Sequence, residues 1–131
     1  MSLFRFTMNV HVEGLPADSF DATAGMVLDE VLRRVAAGKA QRGRVLGRPT
    51  QEFLKVIFEF ESTSHNSAHS YGFDLVADVF QTLGADVSGW FDEPHRAVIE
   101  DDGTDRWDVL VELLKHARVE VTESRTEPIA A

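Results

Sequence analysis

The sequence lacks cysteine altogether, so disulfide bonds, thiolate metal sites and cysteine nucleophiles are excluded. It also lacks any run of apolar residues that approaches the roughly 18 needed for a membrane-spanning helix. Its first residues have neither the basic start nor the apolar stretch of a secretory signal peptide. These absences predict a cytoplasmic protein that does not enter the membrane.

The composition is otherwise ordinary, but the charge is not evenly placed. Of the 131 residues, 44% are apolar and 27% are charged, which is typical of one globular domain. The net charge is −9; the segment 33–48 holds six cations and no acid, whereas 52–127 holds seventeen acids and six cations. An acidic body repels nucleic acid, so the charge favours a protein partner, either a basic one or a second copy of the chain.

Two segments alternate between apolar and polar residues with the period of a β-strand. The apolar side chains occupy the even positions from Phe4 to Val12 in the first and from Leu54 to Phe60 in the second. Each pattern predicts one buried and one solvated face. A sheet of such strands is expected to be antiparallel or mixed, with its helices packed on a single side.

Three segments have the periodicity of amphipathic helices. Gly38 and Gly84 are predicted to end the first two, and the third follows the acidic turn at 101–105. A hairpin is predicted over 86–100, between the second and third helices, and a last strand over 118–123.

This element order predicts an α+β fold. We expect a two-layer sandwich with a mixed or antiparallel sheet of about five strands and helices on one face. Residues 53–123 have the βαββαβ order of a ferredoxin-like split βαβ unit, preceded by an extra strand and helix. A single domain is predicted over 1–123, followed by a flexible C-terminal tail over 124–131. Many unrelated functions use this topology, so it predicts no function.

A histidine-rich segment joins the second strand to the second helix. His65 and His69 stand four residues apart, so on one helical face they could share a divalent metal ion. No glutamate follows His65, so the segment does not match a zincin helix. One alternative is that the neighbouring serines cap the helix and the histidines are solvated. Another is that the start of the helix holds an anion.

An apolar cluster is predicted on the solvated face of the sheet. If Phe91 points to the core, Trp90 points outward, where it would join Ile57 and Val98. An exposed aromatic and aliphatic patch on a polar sheet is typical of a partner-binding or dimer interface. The alternative is that Gly89 marks a bulge that reverses the faces of this strand.

The segment 39–50 is predicted to be a long, mobile surface loop, because it contains two glycines, a proline and four cations. Arg42, Arg44 and Arg48 could bind phosphate groups from this basic loop. The segment has no aromatic residue for base stacking, so contact with an acidic partner fits it equally well.

No arrangement of nucleophile, acid and base emerges from the sequence. It therefore predicts a non-catalytic acidic binding module that acts through protein contacts on the open sheet face, with a partner or with a second copy. The alternative is a small metal-dependent enzyme, or a metal- or ligand-binding domain, centred on His65 and His69. Beyond that divalent metal, no cofactor is predicted.

Overall fold

Four strands and two helices are formed by the described part of the chain. The computed structural model describes residues 1–13, 20–48, 53–85, 87, 90 and 118–129. The predicted third helix and, apart from Val87 and Trp90, the predicted hairpin lie outside the described residues. The elements are, in chain order, β1 (Ser2–Glu13), α1 (Phe20–Ala36), β2 (Arg42–Arg48), β3 (Phe53–Ser62), α2 (His65–Thr82) and β4 (Arg118–Pro128).

The described strands form one antiparallel sheet in the order β2-β3-β1-β4. Both described helices pack on the same face of it, so the predicted two-layer α+β fold is confirmed. The prediction placed the βαββαβ order in residues 53–123 and treated the preceding strand and helix as additions. In the described residues, that first strand and helix, β1 and α1, are themselves part of a βαββαβ order that runs over 2–128.

The alternation in β1 and β3 defines the inner face of the sheet, which the helices cover. The even positions from Phe4 to Val12 and from Leu54 to Phe60 are all buried, as predicted. Glycine lets the helices approach this face closely: a Cβ at Gly72 of α2 would collide with the ring of Phe6. A Cβ at Gly43 of β2 would likewise collide with Val31 of α1.

The ends of the helices follow the predicted signals. Ser64 caps α2, because its Oγ accepts a hydrogen bond of 3.1 Å from the backbone N–H of Ser67. Gly38 and Gly84 follow the two helices with φ of 82° and 100°, the left-handed region that glycine adopts without strain. The residue after each glycine donates a backbone hydrogen bond to the carbonyl five residues earlier, which closes the last turn.

The predicted basic loop is not a loop over most of its length. Residues 42–48 form β2, which pairs along its whole length with β3. The strand alternates as the others do, but Gly43 and Gly47 occupy two of its three inner positions. Since α1 lies against these positions, there is no room for the large apolar side chains that would have revealed a strand.

The structure also differs from the predicted C-terminal tail over 124–131. β4 continues to Pro128, which lies opposite Phe4 of β1. The inner position opposite Phe6 is Thr126, a polar residue that is nevertheless buried. A hydrogen bond to His69 of α2 satisfies its hydroxyl, so the strand needs no apolar side chain there.

An ion-pair network joins α1 to α2 at the edge of the core. Arg34 of α1 donates to the Glu30 carboxylate at 2.6 Å and to the Asp78 carboxylate of α2 at 2.8 Å. It also donates to the hydroxyl of Thr82 at 3.1 Å, and Glu30 accepts a second hydrogen bond from Arg33. The apolar stripe predicted for α1 did not include these buried charges. The i, i+4 spacing of Glu30 and Arg34 is the signal that points to the pair.

Candidate functional site

His65 and His69 lie in the first turns of α2 and converge on one residue of β4. The carbonyl oxygen of Thr126 lies 3.0 Å from His65 Nε2, and because a carbonyl only accepts, the imidazole donates. His69 Nδ1 lies 2.7 Å from the hydroxyl of the same threonine. The two histidines therefore fasten the C-terminal half of β4 to α2.

Aromatic contacts reinforce this arrangement. The His65 ring meets the edge of Phe4 at 6.2 Å, and the His69 ring meets Phe6 at 5.4 Å. His65 is exposed and His69 is half-buried, so the histidines lie at the rim of the layer between helix and sheet and contact the inner-face residues Phe4 and Phe6 from there. The spacing of the two histidines thus has a structural reason, because four residues along α2 span about the same length as two residues along β1.

The hydrogen bonds of His65 and His69 argue against a metal ion shared by the two residues. One nitrogen of each histidine is engaged with Thr126, so that nitrogen would have to leave its partner before binding a metal ion. Within the described ranges, no three histidine, aspartate or glutamate residues are grouped closely enough to hold one. His11 and Glu61 are at odd positions, on the face of the sheet opposite α2, so neither is placed to complete a site with His65 and His69.

Trp90 lies on the helix side of the sheet, which corrects its predicted outward position. Its ring packs against Phe80 of α2, a fully buried residue, at 5.6 Å, and against Phe73 at 6.3 Å. The indole N–H donates to the carbonyl of Val119 in β4 at 3.1 Å. These contacts make Trp90 a bridge between α2 and β4. The aromatic rings of α2 offered a larger apolar surface than the polar outer face of the sheet.

The predicted apolar cluster on the open face is therefore not formed by these residues. Ile57 does occupy the outer face, opposite Thr7 of β1, but only 5% of it is exposed. It lies between Thr7 and Arg44 of the neighbouring strands. Val98, the third member, lies outside the described residues.

The outer face, meaning the side of the sheet away from α1 and α2, is polar and carries charges of both signs. At its β2 edge the outer positions are Arg42, Arg44, Leu46 and Arg48. The first three of these side chains are exposed. On the opposite edge, in β4, the register places Arg125 between the acids Glu123 and Glu127.

Ion pairs across the middle of this face leave the β2 edge basic. The Glu59 carboxylate lies 3.1 Å from Arg5 and 4.0 Å from Arg42. Asn9 donates to Glu123 at 2.9 Å. Arg44 makes no ion pair with another described residue. Arg42 thus shares Glu59 with Arg5, whereas Arg44 remains available to a partner.

Comparison of the chain with protein-family models, with curated proteins and with solved structures finds no match. Among the helices that the structure describes, none combines the length and the apolar character needed to cross a membrane.

Proposed function

We propose that the protein is a non-catalytic binding module that holds an extended, acidic segment of a protein partner along the β2 edge. The observation that carries this proposal is the alternation in β2: arginine repeats on the outer face of an edge strand, in a chain whose net charge is −9. A local charge opposite to that of the whole molecule directs an acidic partner to one edge.

The position of β2 in the sheet supports extended binding. β2 ends the strand order, so among the described strands it pairs only with β3. The second edge of such a strand presents backbone donors and acceptors that an added strand can use. The partner's alternate side chains would then lie beside Arg42, Arg44 and Leu46, where acidic groups meet the guanidinium groups.

The charge of this edge changes the kind of partner expected. The net charge of the chain alone favoured a basic partner, whereas the β2 edge suits an acidic one. Self-association through β2 is disfavoured, because a two-fold pairing would place arginines beside arginines. Nucleic acid is disfavoured by the net charge of −9, which repels a long polyanion.

The test uses a fluorescently labelled peptide as long as β2 that alternates glutamate with threonine, since threonine favours an extended backbone. The double variant Arg42→Gln/Arg44→Gln removes the two exposed ion pairs that these arginines are proposed to make with glutamates of the peptide, at about 0.7 kcal/mol each. We expect the dissociation constant from fluorescence anisotropy to rise about tenfold, and the affinity of the unchanged protein to fall as salt is added.

Arg33→Gln is the matched control. Arg33 is 70% exposed on α1, the helix that covers the inner face of β2, whereas Arg42 and Arg44 are on the outer face. Glu30 keeps Arg34 as a partner when the Arg33 guanidinium is removed. This variant should bind the peptide as the unchanged protein does. A peptide with lysine in place of glutamate should not bind.

Three results would contradict the proposal. They are no binding of the acidic peptide, equal binding of the lysine peptide, and an equal loss of affinity in Arg33→Gln. Tighter binding of single-stranded DNA than of the peptide, with the same dependence on Arg42 and Arg44, would replace the protein partner by nucleic acid.

A further inference from the structure

A cleft of about 690 Å³ opens where β3 leads into α2. It lies on the helix side of the sheet, between the turn that follows α1 and the start of α2, and is separate from the outer face of β2. Its walls combine hydroxyl groups, a cation and aromatic rings. The residues that matter for binding are Lys39, Phe60, Ser62, Thr63, Ser67 and Tyr71.

One side of the cleft is suited to an anion. Thr63 and Ser67 line it and flank Ser64, the cap of the 18-residue helix α2. The first backbone N–H groups of a helix have no acceptor within the helix and carry partial positive charge. The first turn of α2 contains no acidic residue to neutralise them.

Ser62 is the independent sign of a ligand. It is the last residue of β3 and lines the cleft, with only 8% of its surface exposed. Its hydroxyl makes no hydrogen bond with any described side chain or backbone group. Because every fully buried side-chain oxygen and nitrogen of the described residues is satisfied, the Ser62 oxygen must be open to the cleft. The hydroxyl of a residue that is otherwise buried, and that has no partner in the protein, is placed to bond to a molecule in the cleft.

The other side of the cleft is aromatic. The Tyr71 ring meets the ring of Phe60 edge-on at 4.8 Å, and its hydroxyl donates to the carbonyl of Lys39 at 2.6 Å. These two contacts hold a partly exposed ring in a fixed orientation. A flat ring bound in the cleft could pack against it at little cost in side-chain entropy.

We propose that this cleft binds a small aromatic phosphate monoester. The phosphate group is bound by the hydroxyls of Ser62, Thr63 and Ser67 at the start of α2, and the ring packs on Tyr71. Lys39, in the adjoining turn, adds positive charge. Glu61 also lines the cleft, but it is exposed and occupies an outer position of β3, on the other face of the sheet from Ser62. This site is independent of the function proposed for the β2 edge.

The experiment is an NMR titration of the whole chain with phenyl phosphate. Phenol and inorganic phosphate, which each represent one half of that ligand, are titrated separately. We expect phenyl phosphate to shift the amide resonances of residues 62–67 and of Tyr71. Its affinity should exceed that of inorganic phosphate about fivefold, as one aromatic contact provides. Phenol alone should leave the resonances of residues 62–67 unchanged.

Ser62→Ala removes one hydrogen bond to the charged group, so it should weaken phenyl phosphate about tenfold. Ser70→Ala is the control, because Ser70 is an exposed serine of the same helix that does not line the cleft. It should bind phenyl phosphate normally, as should Arg42→Gln/Arg44→Gln.

The proposal is overturned if phenyl phosphate leaves residues 62–67 unshifted, if inorganic phosphate binds equally well, or if Ser62→Ala binds as the unchanged protein does. Amide spectra of each variant without ligand verify that the fold is retained. An unfolded Ser62→Ala is replaced in the series by Ser67→Ala, for which the same loss is expected.

Discussion

Replacement of Arg34 by methionine would remove the cation that joins α1 to α2. Arg34 makes six hydrogen bonds, to the side chain and backbone of Glu30, to the side chain and backbone of Asp78, and to Thr82. Methionine keeps much of the apolar stem, so the loss of charge and hydrogen bonds dominates the effect.

The expected cost follows from the exposure of the two carboxylates. The Glu30 side chain is 9% exposed, and removal of one partner from a buried ion pair costs about 3–5 kcal/mol. Arg33 remains bonded to Glu30, which favours the lower end of this range. The Asp78 side chain is 57% exposed, so water replaces its partner at a cost below about 1 kcal/mol. We therefore expect a total loss near 3 kcal/mol in the free energy of unfolding.

A second substitution separates the buried charge from other causes. In Arg34→Met/Glu30→Gln, the Glu30 carboxylate is replaced by a neutral amide, so no buried negative charge is left without Arg34. Since apolar or neutral replacements of a buried ion pair are often tolerated, the double variant should recover about 2 kcal/mol relative to Arg34→Met. Each variant should be less stable than the unchanged chain and still fold, because small domains have about 5–15 kcal/mol of stability.

The assay is equilibrium unfolding in urea, followed by far-ultraviolet circular dichroism. The midpoints should differ between variants while the slope against urea stays constant. The reasoning is refuted if Arg34→Met loses less than about 1 kcal/mol, the value of an exposed pair. It is also refuted if Arg34→Met/Glu30→Gln is less stable than Arg34→Met alone.

Three further predictions can be checked by the same unfolding measurements. Gly72→Ala should destabilise the protein by about 1–3 kcal/mol, because the added Cβ collides with Phe6, and a Gly72→Ala variant as stable as the unchanged chain would contradict the close approach of α2 to β1. Gly25→Ala, with nothing within 4 Å of the added Cβ on α1, should instead gain up to about 1 kcal/mol. Trp90→Phe should lose about 1 kcal/mol with the indole bond to Val119, whereas no loss would show that bond to be dispensable.

Some elements of the fold have a clear local pattern in the sequence, and others do not. β1 and β3 were predictable because large apolar residues alternate in them and cover one face. The helix ends were predictable because Gly38, Gly84 and the serine cap act through local backbone chemistry. β2 was missed because its inner positions are filled by α1 and therefore hold glycine. The alternation of arginine with small residues is the signal that could have revealed it.

The candidate sites were harder to predict, since they depend on which elements meet in space. The spacing of His65 and His69 gave no indication that both would face Thr126, far along the chain in β4. The position of Trp90 depends on Phe73 and Phe80 of α2, because its ring packs against them and not on the outer face of the sheet. Local pattern determines the face of a strand only where one face is apolar and the other is not.

The central position of β1 has a consequence for the order of folding. β1 is the first strand of this chain, and it pairs on one side with β3 and on the other with β4, the last. The β1–β4 pairing closes nearly the whole chain into a loop, which is entropically costly and slow to form. Until it forms, the second edge of β1, with its apolar residues, stays available to other molecules. Once β4 has paired, the hydrogen bonds of His65 and His69 to Thr126 help to keep this edge of β1 covered.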